Sequence, residues 1–138
     1  MKHIIILLSI LFITDVGTCL GIDGTICNPG SEIIYHANGT LQSCTLKDNF
    51  TINGVTCKQF GFIHLHDNKT LKSCDTADIF MYGDISCNQH RQISFYPTGK
   101  LHSCDLSRPV KIDGKVCAEF KSIVFFADGK LQSCSSPQ

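Results

Sequence analysis

The 138-residue chain contains no tryptophan, and only 17% of its residues are charged. Twelve basic residues balance twelve acidic ones, so the formal net charge at pH 7 is zero. This balance argues against a protein that binds nucleic acid or an anionic membrane through electrostatic attraction. Outside the apolar run Ile4 to Ile13, no segment sustains the periodicity of an amphipathic helix. We therefore expect an all-β protein.

Residue patterns that would indicate catalysis are also missing. No nucleophile beside a base, no carboxylate pair and no phosphate-binding loop stands out. No Cys-x-x-Cys pair is present to support a redox centre or a structural zinc site. The sequence predicts neither an enzyme nor a cofactor.

The N-terminus carries the one sustained apolar run, which follows Met1-Lys2-His3. A basic start, roughly ten apolar residues and small residues after them are typical of a secretory signal. The run is shorter than a membrane-spanning helix needs, and a buried N-terminal element is the alternative. We expect residues 1–20 to be a signal peptide and residues 21–138 to form one domain, secreted or in the periplasm or cell envelope.

Cys19 lies at the predicted cleavage boundary, in the stretch "DVGTCLG". This stretch resembles in part a bacterial lipoprotein signal, with Val16 three places before the cysteine, although Thr18 and Asp15 depart from that pattern. The resemblance implies acylation of Cys19, which would anchor the protein to a membrane. The alternative is ordinary cleavage just after Cys19 or Gly21.

The other eight cysteines recur with a fixed period. They are Cys27, Cys44, Cys57, Cys74, Cys87, Cys104, Cys117 and Cys134, so gaps of 17 and 13 residues alternate and the period is 30. Internal repetition at this length is the signature of a repeat architecture. We expect four units, at about 21–50, 51–80, 81–110 and 111–138, in an elongated meander sheet that is curled or solenoid-like.

Two turns are predicted in each unit. The first turns are Asp23-Gly24, Asn53-Gly54 and Asp113-Gly114, which suit a type I′ hairpin, and Gly83-Asp84, which suits type II′. The second turns are Asn38-Gly39, Thr98-Gly99 and Asp128-Gly129, with glycine where a bulged loop takes a left-handed residue. Asn68-Lys69 departs from this pattern. Either Asn68 adopts the left-handed conformation or that hairpin is looser.

The strands that enter the second turn alternate as a half-buried sheet should. The predicted core face holds Ile33, Ile63, Ile93, Ile123, Tyr35, Leu65, Phe95 and Phe125, completed by Leu41, Leu71, Leu101 and Leu131. The predicted second face holds Ile34, His64, Ser94, Val124, His36, His66, Tyr96 and Phe126. A loop centred on Asn38 would pair Tyr35 with Leu41 and Ile33 with Ser43.

The sequence pattern of an aromatic residue, an Asn/Asp-Gly turn and a returning strand resembles the MORN repeat and its bacterial variants. The resemblance covers the segment from Tyr35 to Leu41 and its three counterparts. The units here are longer than MORN repeats, lack their glycine-rich return strand and carry two cysteines each. The resemblance implies a hairpin array that acts as a scaffold or a binding surface, without catalysis.

Eight cysteines in a short secreted chain predict a disulfide framework. Pairing across the 17-residue gaps uses every cysteine, whereas pairing across the 13-residue gaps leaves Cys27 and Cys134 over. We favour the first scheme. In a flat meander, however, the two cysteines of a unit would flank one strand about 9 to 10 Å apart. A disulfide needs Cα atoms within about 7 Å, so each unit must bend, for example at Asn28-Pro29-Gly30-Ser31.

Histidine provides a second candidate site. His64 and His66 point to the same side of one strand, and His36 is equivalent to His66 in the preceding unit. Two imidazoles at this spacing can share Zn²⁺ or Cu²⁺, and solvent-facing polar side chains are the alternative interpretation.

Late in the chain, Tyr96, Val124 and Phe126 occupy second-face positions that are polar in earlier units. Such a stripe can mark a partner surface, and burial against a neighbouring unit is the alternative. We expect a non-catalytic structural or protein-binding module, recognised through a strand edge or this stripe. A lipid-anchored version through Cys19 and a metal-binding protein using His64 and His66 remain alternatives.

Overall fold

A computed structural model describes residues 21–138. The predicted signal peptide and Cys19 lie outside these residues. The described strands are β1 (Ile34–Tyr35), β2 (Leu41–Thr45), β3 (Phe50–Ile52), β4 (Val55–Cys57), β5 (Phe62–Leu65), β6 (Leu71–Asp75), β7 (Phe80–Tyr82), β8 (Ile85–Cys87), β9 (Gln92–Phe95), β10 (Leu101–Asp105), β11 (Val110–Ile112), β12 (Lys115–Cys117), β13 (Ser122–Phe125) and β14 (Leu131–Cys134). The prediction of an all-β fold is confirmed.

Eight of these strands form one large antiparallel sheet in the order β1-β2-β5-β6-β9-β10-β13-β14. The other six form three separate two-stranded sheets, β3-β4, β7-β8 and β11-β12. Buried residues of the small hairpins, such as Val55 and Ile85, belong to the same hydrophobic cluster as Ile63 and Ile93 of the large sheet. The small hairpins, here called the hairpin layer, therefore cover one face of the large sheet, its inner face.

The turn residues act as the sequence predicts in the three small hairpins. Asn53 and Gly54 both have positive φ, as do Asp113 and Gly114, which is the requirement of a type I′ turn. Gly83 alone has positive φ in the β7-β8 turn, in keeping with type II′.

The prediction of a hairpin turn at Asp23-Gly24 is wrong. Asp23-Gly24 leads into a 3₁₀ turn, Gly24–Ile26, instead of a strand. Asp23 caps it by accepting a hydrogen bond from the Thr25 N–H at 2.8 Å. Hydrogen bonds from the side chain and backbone of Thr25 lower the pKa of Asp23 below its usual value. Local capping replaces the strand pairing that the Asp-Gly pair would otherwise support.

The inner face matches the predicted core in most units. Ile63, Leu65, Ile93, Phe95, Ile123 and Phe125 are buried, together with Leu41, Leu71 and Leu101. Ile33 and Tyr35 are exposed, at 37% and 51%, because the first unit has a short 3₁₀ turn where the others have a hairpin. Leu131 is only half-buried, since β14 is the edge of the sheet.

The register of the large sheet differs from the prediction by a β-bulge. Tyr35 pairs with Leu41 as expected, but Ser43 lies opposite Ile34 and not Ile33. Gln42 is the extra residue, and Lys72, His102 and Gln132 hold the same place in the later hairpins. The bulge lets both Leu41 and Cys44 reach the core, where each is 2% exposed.

Candidate functional site

Disulfides attach the three hairpins of the hairpin layer, and the segment at Cys27, to the large sheet. The bonded pairs are Cys27–Cys44, Cys57–Cys74, Cys87–Cys104 and Cys117–Cys134, with Cα–Cα distances between 5.5 and 5.8 Å. These are the pairs across the 17-residue gaps. The separation of about 9 to 10 Å expected for two cysteines that flank one strand does not apply to these pairs. The first cysteine of each pair lies outside the large sheet. Cys57, for example, ends β4 of a small hairpin and reaches Cys74 in β6.

Successive units are also joined by side chains on the outer face of the large sheet. The Nε2 atoms of His36 and His66 lie 2.9 and 3.0 Å from the carbonyl oxygens of Leu65 and Phe95. A carbonyl only accepts, so each Nε2 carries the proton and donates it. Tyr96 donates its hydroxyl to the Phe125 carbonyl in the same way, at 2.9 Å.

His64 and His66, the predicted metal pair, line a common recess of about 200 Å³ on the outer face. His36, Gln42, Asp67 and Lys72 line it with them. Since the Nε2 of His66 is engaged, only its Nδ1 could bind a metal. Among residues 21–138, no group of three or more His, Cys, Asp or Glu is arranged to hold a metal ion.

Shared binding of Zn²⁺ or Cu²⁺ by His64 and His66 stays a prediction. A calorimetric titration of the oxidised protein with Zn²⁺ or Cu²⁺ tests it. Binding that disappears in the His64→Ala, His66→Ala double variant would support a shared site. Binding unchanged by the two substitutions would rule these residues out as ligands.

The stripe of Tyr96, Val124 and Phe126 is less open than the sequence suggests. Tyr96 and Val124 are half-buried, and the Tyr96 hydroxyl is used to join two units. Phe126 alone of the three is exposed. Of this stripe, Tyr96 therefore makes a contact between units, and only Phe126 remains as an exposed apolar side chain.

The larger cavities lie on the other side of the large sheet, between neighbouring members of the hairpin layer. One cavity lies between the β3-β4 and β7-β8 hairpins, has a volume of about 260 Å³ and is here called the preceding groove. The next cavity along the chain lies between the β7-β8 and β11-β12 hairpins, has a volume of about 440 Å³ and is here called the last groove. The second value lies within the range of ligand pockets in proteins, about 300 to 1,000 Å³.

The two grooves are repeats of one another. The preceding groove is lined by Asn53, Leu71, Phe80, Tyr82, Phe95 and Gly99, and residues 30 positions later, Gly83, Leu101, Val110, Ile112, Phe125 and Gly129, all line the last groove. Leucine, phenylalanine and one glycine are retained. The three changed positions each lose volume: asparagine becomes glycine, phenylalanine becomes valine, and tyrosine becomes isoleucine.

Two contacts that fill the preceding groove are missing from the last one. Phe80 packs edge-on against Phe95, with ring centroids 5.9 Å apart, and Val110 cannot make this contact with Phe125. Asn53 Oδ1 accepts a hydrogen bond from the Leu71 N–H at 3.2 Å. Gly83, the equivalent of Asn53, has no side chain to accept from Leu101.

The mouth of the last groove combines apolar and charged groups. Lys100, Lys111, Asp84 and Asp113 all line it. Within the part of the chain that the structure describes, none of these four side chains forms an ion pair. Tyr82 of the hairpin layer lines the groove and is exposed, and Met81 and Val116 are exposed apolar side chains next to lining residues or strands.

The sequence holds the signal for this groove in the differences between units. Val110 stands 30 residues after Phe80 and replaces it in the next unit. Gly83 replaces Asn53 in the same way. The prediction of a site at His64 and His66 followed the same logic on the opposite face. The positions that open the groove are apolar or glycine, so they give no chemical signal without the structure.

No model of a known protein family, no curated protein and no solved structure matches the chain. No helix among residues 21–138 has the length and apolar character needed to cross a membrane.

Proposed function

We propose that the protein is a secreted or cell-envelope, non-catalytic module that binds a partner protein through its hairpin layer. The observation that carries this proposal is the last groove, an apolar cavity of about 440 Å³ held open between two hairpins. Both hairpins are fixed to the sheet by disulfides, Cys87–Cys104 and Cys117–Cys134. An apolar recess with a charged rim is typical of a protein recognition site.

Four intramolecular disulfides indicate an oxidising compartment. Secretion or residence in the cell envelope is the more specific form of this statement, and it rests on the apolar run Ile4 to Ile13. Anchoring through an acylated Cys19 is a variant of the proposal. It would leave the hairpin layer and its groove unchanged.

Selection from a peptide display library on the immobilised, oxidised protein tests the proposal. Selected peptides should bind the natural protein and lose binding to a Tyr82→Asp variant, because Tyr82 lines the last groove and its side chain is exposed. Phe126→Asp is the control, since Phe126 is also exposed and lies outside the hairpin layer and the groove. Failure to enrich any peptide, or equal loss of binding in both variants, would contradict the proposal.

A further inference from the structure

The last groove has the form of a site from which an aromatic side chain has been removed. In the preceding groove, the Phe80 ring lies between the two hairpins, edge-on to Phe95 and 3.8 Å from the position that a Cβ on Gly54 would take. Val110 occupies the equivalent position in the last groove and leaves the ring's space open above Phe125. Replacing Tyr82 by Ile112 at a second wall position opens the space further.

The repeat also indicates which polar group would accompany the ring. Asn53 supplies a carbonyl-type oxygen to the Leu71 N–H in the preceding groove. Gly83 removes that oxygen from the last groove, where Leu101 is the equivalent residue. A peptide carries both parts in one residue, because an aromatic side chain lies a few bonds from its own main-chain carbonyl.

We propose that the last groove binds an aromatic side chain, phenylalanine in the simplest case, presented by a partner polypeptide. The ring would take the place that Phe80 fills one unit earlier. A peptide carbonyl would stand in for the Asn53 side chain. This proposal deepens the proposed function by naming the partner's chemistry.

The charges at the mouth favour a peptide over a purely apolar ligand. Two lysines and two aspartates, Lys100, Lys111, Asp84 and Asp113, line the groove beside its apolar floor. A lipid chain would leave these groups without partners as it covered them, which is unfavourable. A peptide with flanking residues of both signs would complement all four. Buried aromatic anchors surrounded by polar contacts are the usual source of binding energy in such interfaces.

Nuclear magnetic resonance of the secreted, oxidised protein tests the inference, with N-acetyl-phenylalanine amide as the probe. Saturable shifts should appear at Val110, Phe125 and their neighbours. N-acetyl-leucine amide, which has the amide groups and no ring, should shift the same signals more weakly. Absence of saturable shifts, or equal effects of the two probes, would overturn the proposal.

Two variants separate groove binding from non-specific contact. Val110→Phe should fill the last groove as Phe80 fills the preceding one, and should abolish the shifts. Near-ultraviolet circular dichroism and a count of masked thiols establish that the variant is folded. Shifts of unchanged size in folded Val110→Phe would overturn the proposal.

The opposite substitutions, made in the preceding groove, test for a gain of binding. A gain cannot result from a general loss of structure. Asn53→Gly with Phe80→Val gives the preceding groove the composition of the last one, and a second probe site should appear there. If the folded double variant gains no site, the inferred role of these positions is wrong.

Failure of this proposal can be told from failure of the proposed function. Library peptides that bind the hairpin layer and still bind Val110→Phe would leave protein binding in place and exclude the aromatic anchor. Probe shifts in the last groove without any selected peptide would indicate a small aromatic ligand and would contradict the protein partner.

Discussion

Lys69 has a left-handed backbone, with φ of 67°, at a position that is glycine in the three equivalent turns. The adjacent Asn68 explains why. Its Oδ1 accepts from both the backbone N–H and the hydroxyl of Thr70, and its Nδ2 donates to the Pro97 carbonyl. These bonds hold the turn in the geometry of its neighbours, so the left-handed conformation falls on Lys69. Both predicted outcomes for this turn, a left-handed Asn68 and a looser hairpin, are therefore wrong.

Lys69→Gly should stabilise the protein by about 1 kcal/mol, because glycine removes the Cβ clash of the left-handed conformation. Urea unfolding with the disulfides intact measures this change. Lys69→Ala is the control, since it removes the charge and keeps the Cβ. Equal stabilisation by both substitutions would show that backbone strain is not the cause.

The Tyr96 hydroxyl joins two units through the Phe125 carbonyl. Tyr96→Phe should lower the free energy of unfolding by about 1 kcal/mol, the usual contribution of such a hydrogen bond. Phe126→Tyr is the matched control, because within residues 21–138 the sheet has no strand beyond β14 that could accept from the added hydroxyl. A loss of stability in Phe126→Tyr, or none in Tyr96→Phe, would contradict this account.

At the scale of elements, each small hairpin has only two three-residue strands and depends on its attachment to the sheet. An isolated two-stranded hairpin is at best marginally stable in water. The disulfide of each hairpin closes a 17-residue separation. In the loop-entropy description, such a bond raises the free energy of the unfolded chain by about 3 kcal/mol.

Removing one disulfide should therefore separate stability from binding. Cys57→Ser with Cys74→Ser and Cys87→Ser with Cys104→Ser should each cost about 3 kcal/mol in chemical unfolding. Only the second pair of substitutions releases a wall of the last groove, the β7-β8 hairpin. The second variant should lose peptide binding and the first should retain it. Equal binding by both variants would place the site elsewhere.

At the scale of the whole molecule, the last unit lacks the side chains that join one unit to the next. Phe126 replaces the donors His36, His66 and Tyr96, and Asp128 replaces Asn38 and Asn68. Its sheet strand, β14, is an edge, and Pro137 follows close behind it. Without these donors, Phe126 and Asp128 offer no side-chain hydrogen bond of this kind to a neighbouring unit.

Intact mass of the protein isolated from cells that express it, with and without reduction before alkylation, tests the compartment and the framework together. Eight thiols should be masked until reduction, because eight cysteines are paired in the structure. A diacyl mass on Cys19 would establish the lipid-anchored variant, and its lack would support plain secretion. Eight freely alkylating cysteines would be incompatible with the framework.

Much of the fold follows from short-range patterns. Asn53-Gly54 predicts its turn because the backbone requirement is local, and Ile63 and Leu65 predict the core face because side chains alternate along a strand. The same reasoning fails at Asp23-Gly24, where a local cap competes with the hairpin. It also fails at Gln42, because a bulge changes which residues face each other. The MORN resemblance and the unit boundaries stay predictions.

The sequence by itself determined the all-β class, the period of 30 residues and most turn types, since each depends on residues close together along the chain. Only the tertiary structure decided that the small hairpins leave the meander and form a second layer, because that depends on packing between distant segments. In three of the four pairs, the layer supplies the first cysteine and brings it within bonding distance of the second. It also creates the groove between Val110 and Phe125, where two small residues stand in the place of an asparagine and a phenylalanine.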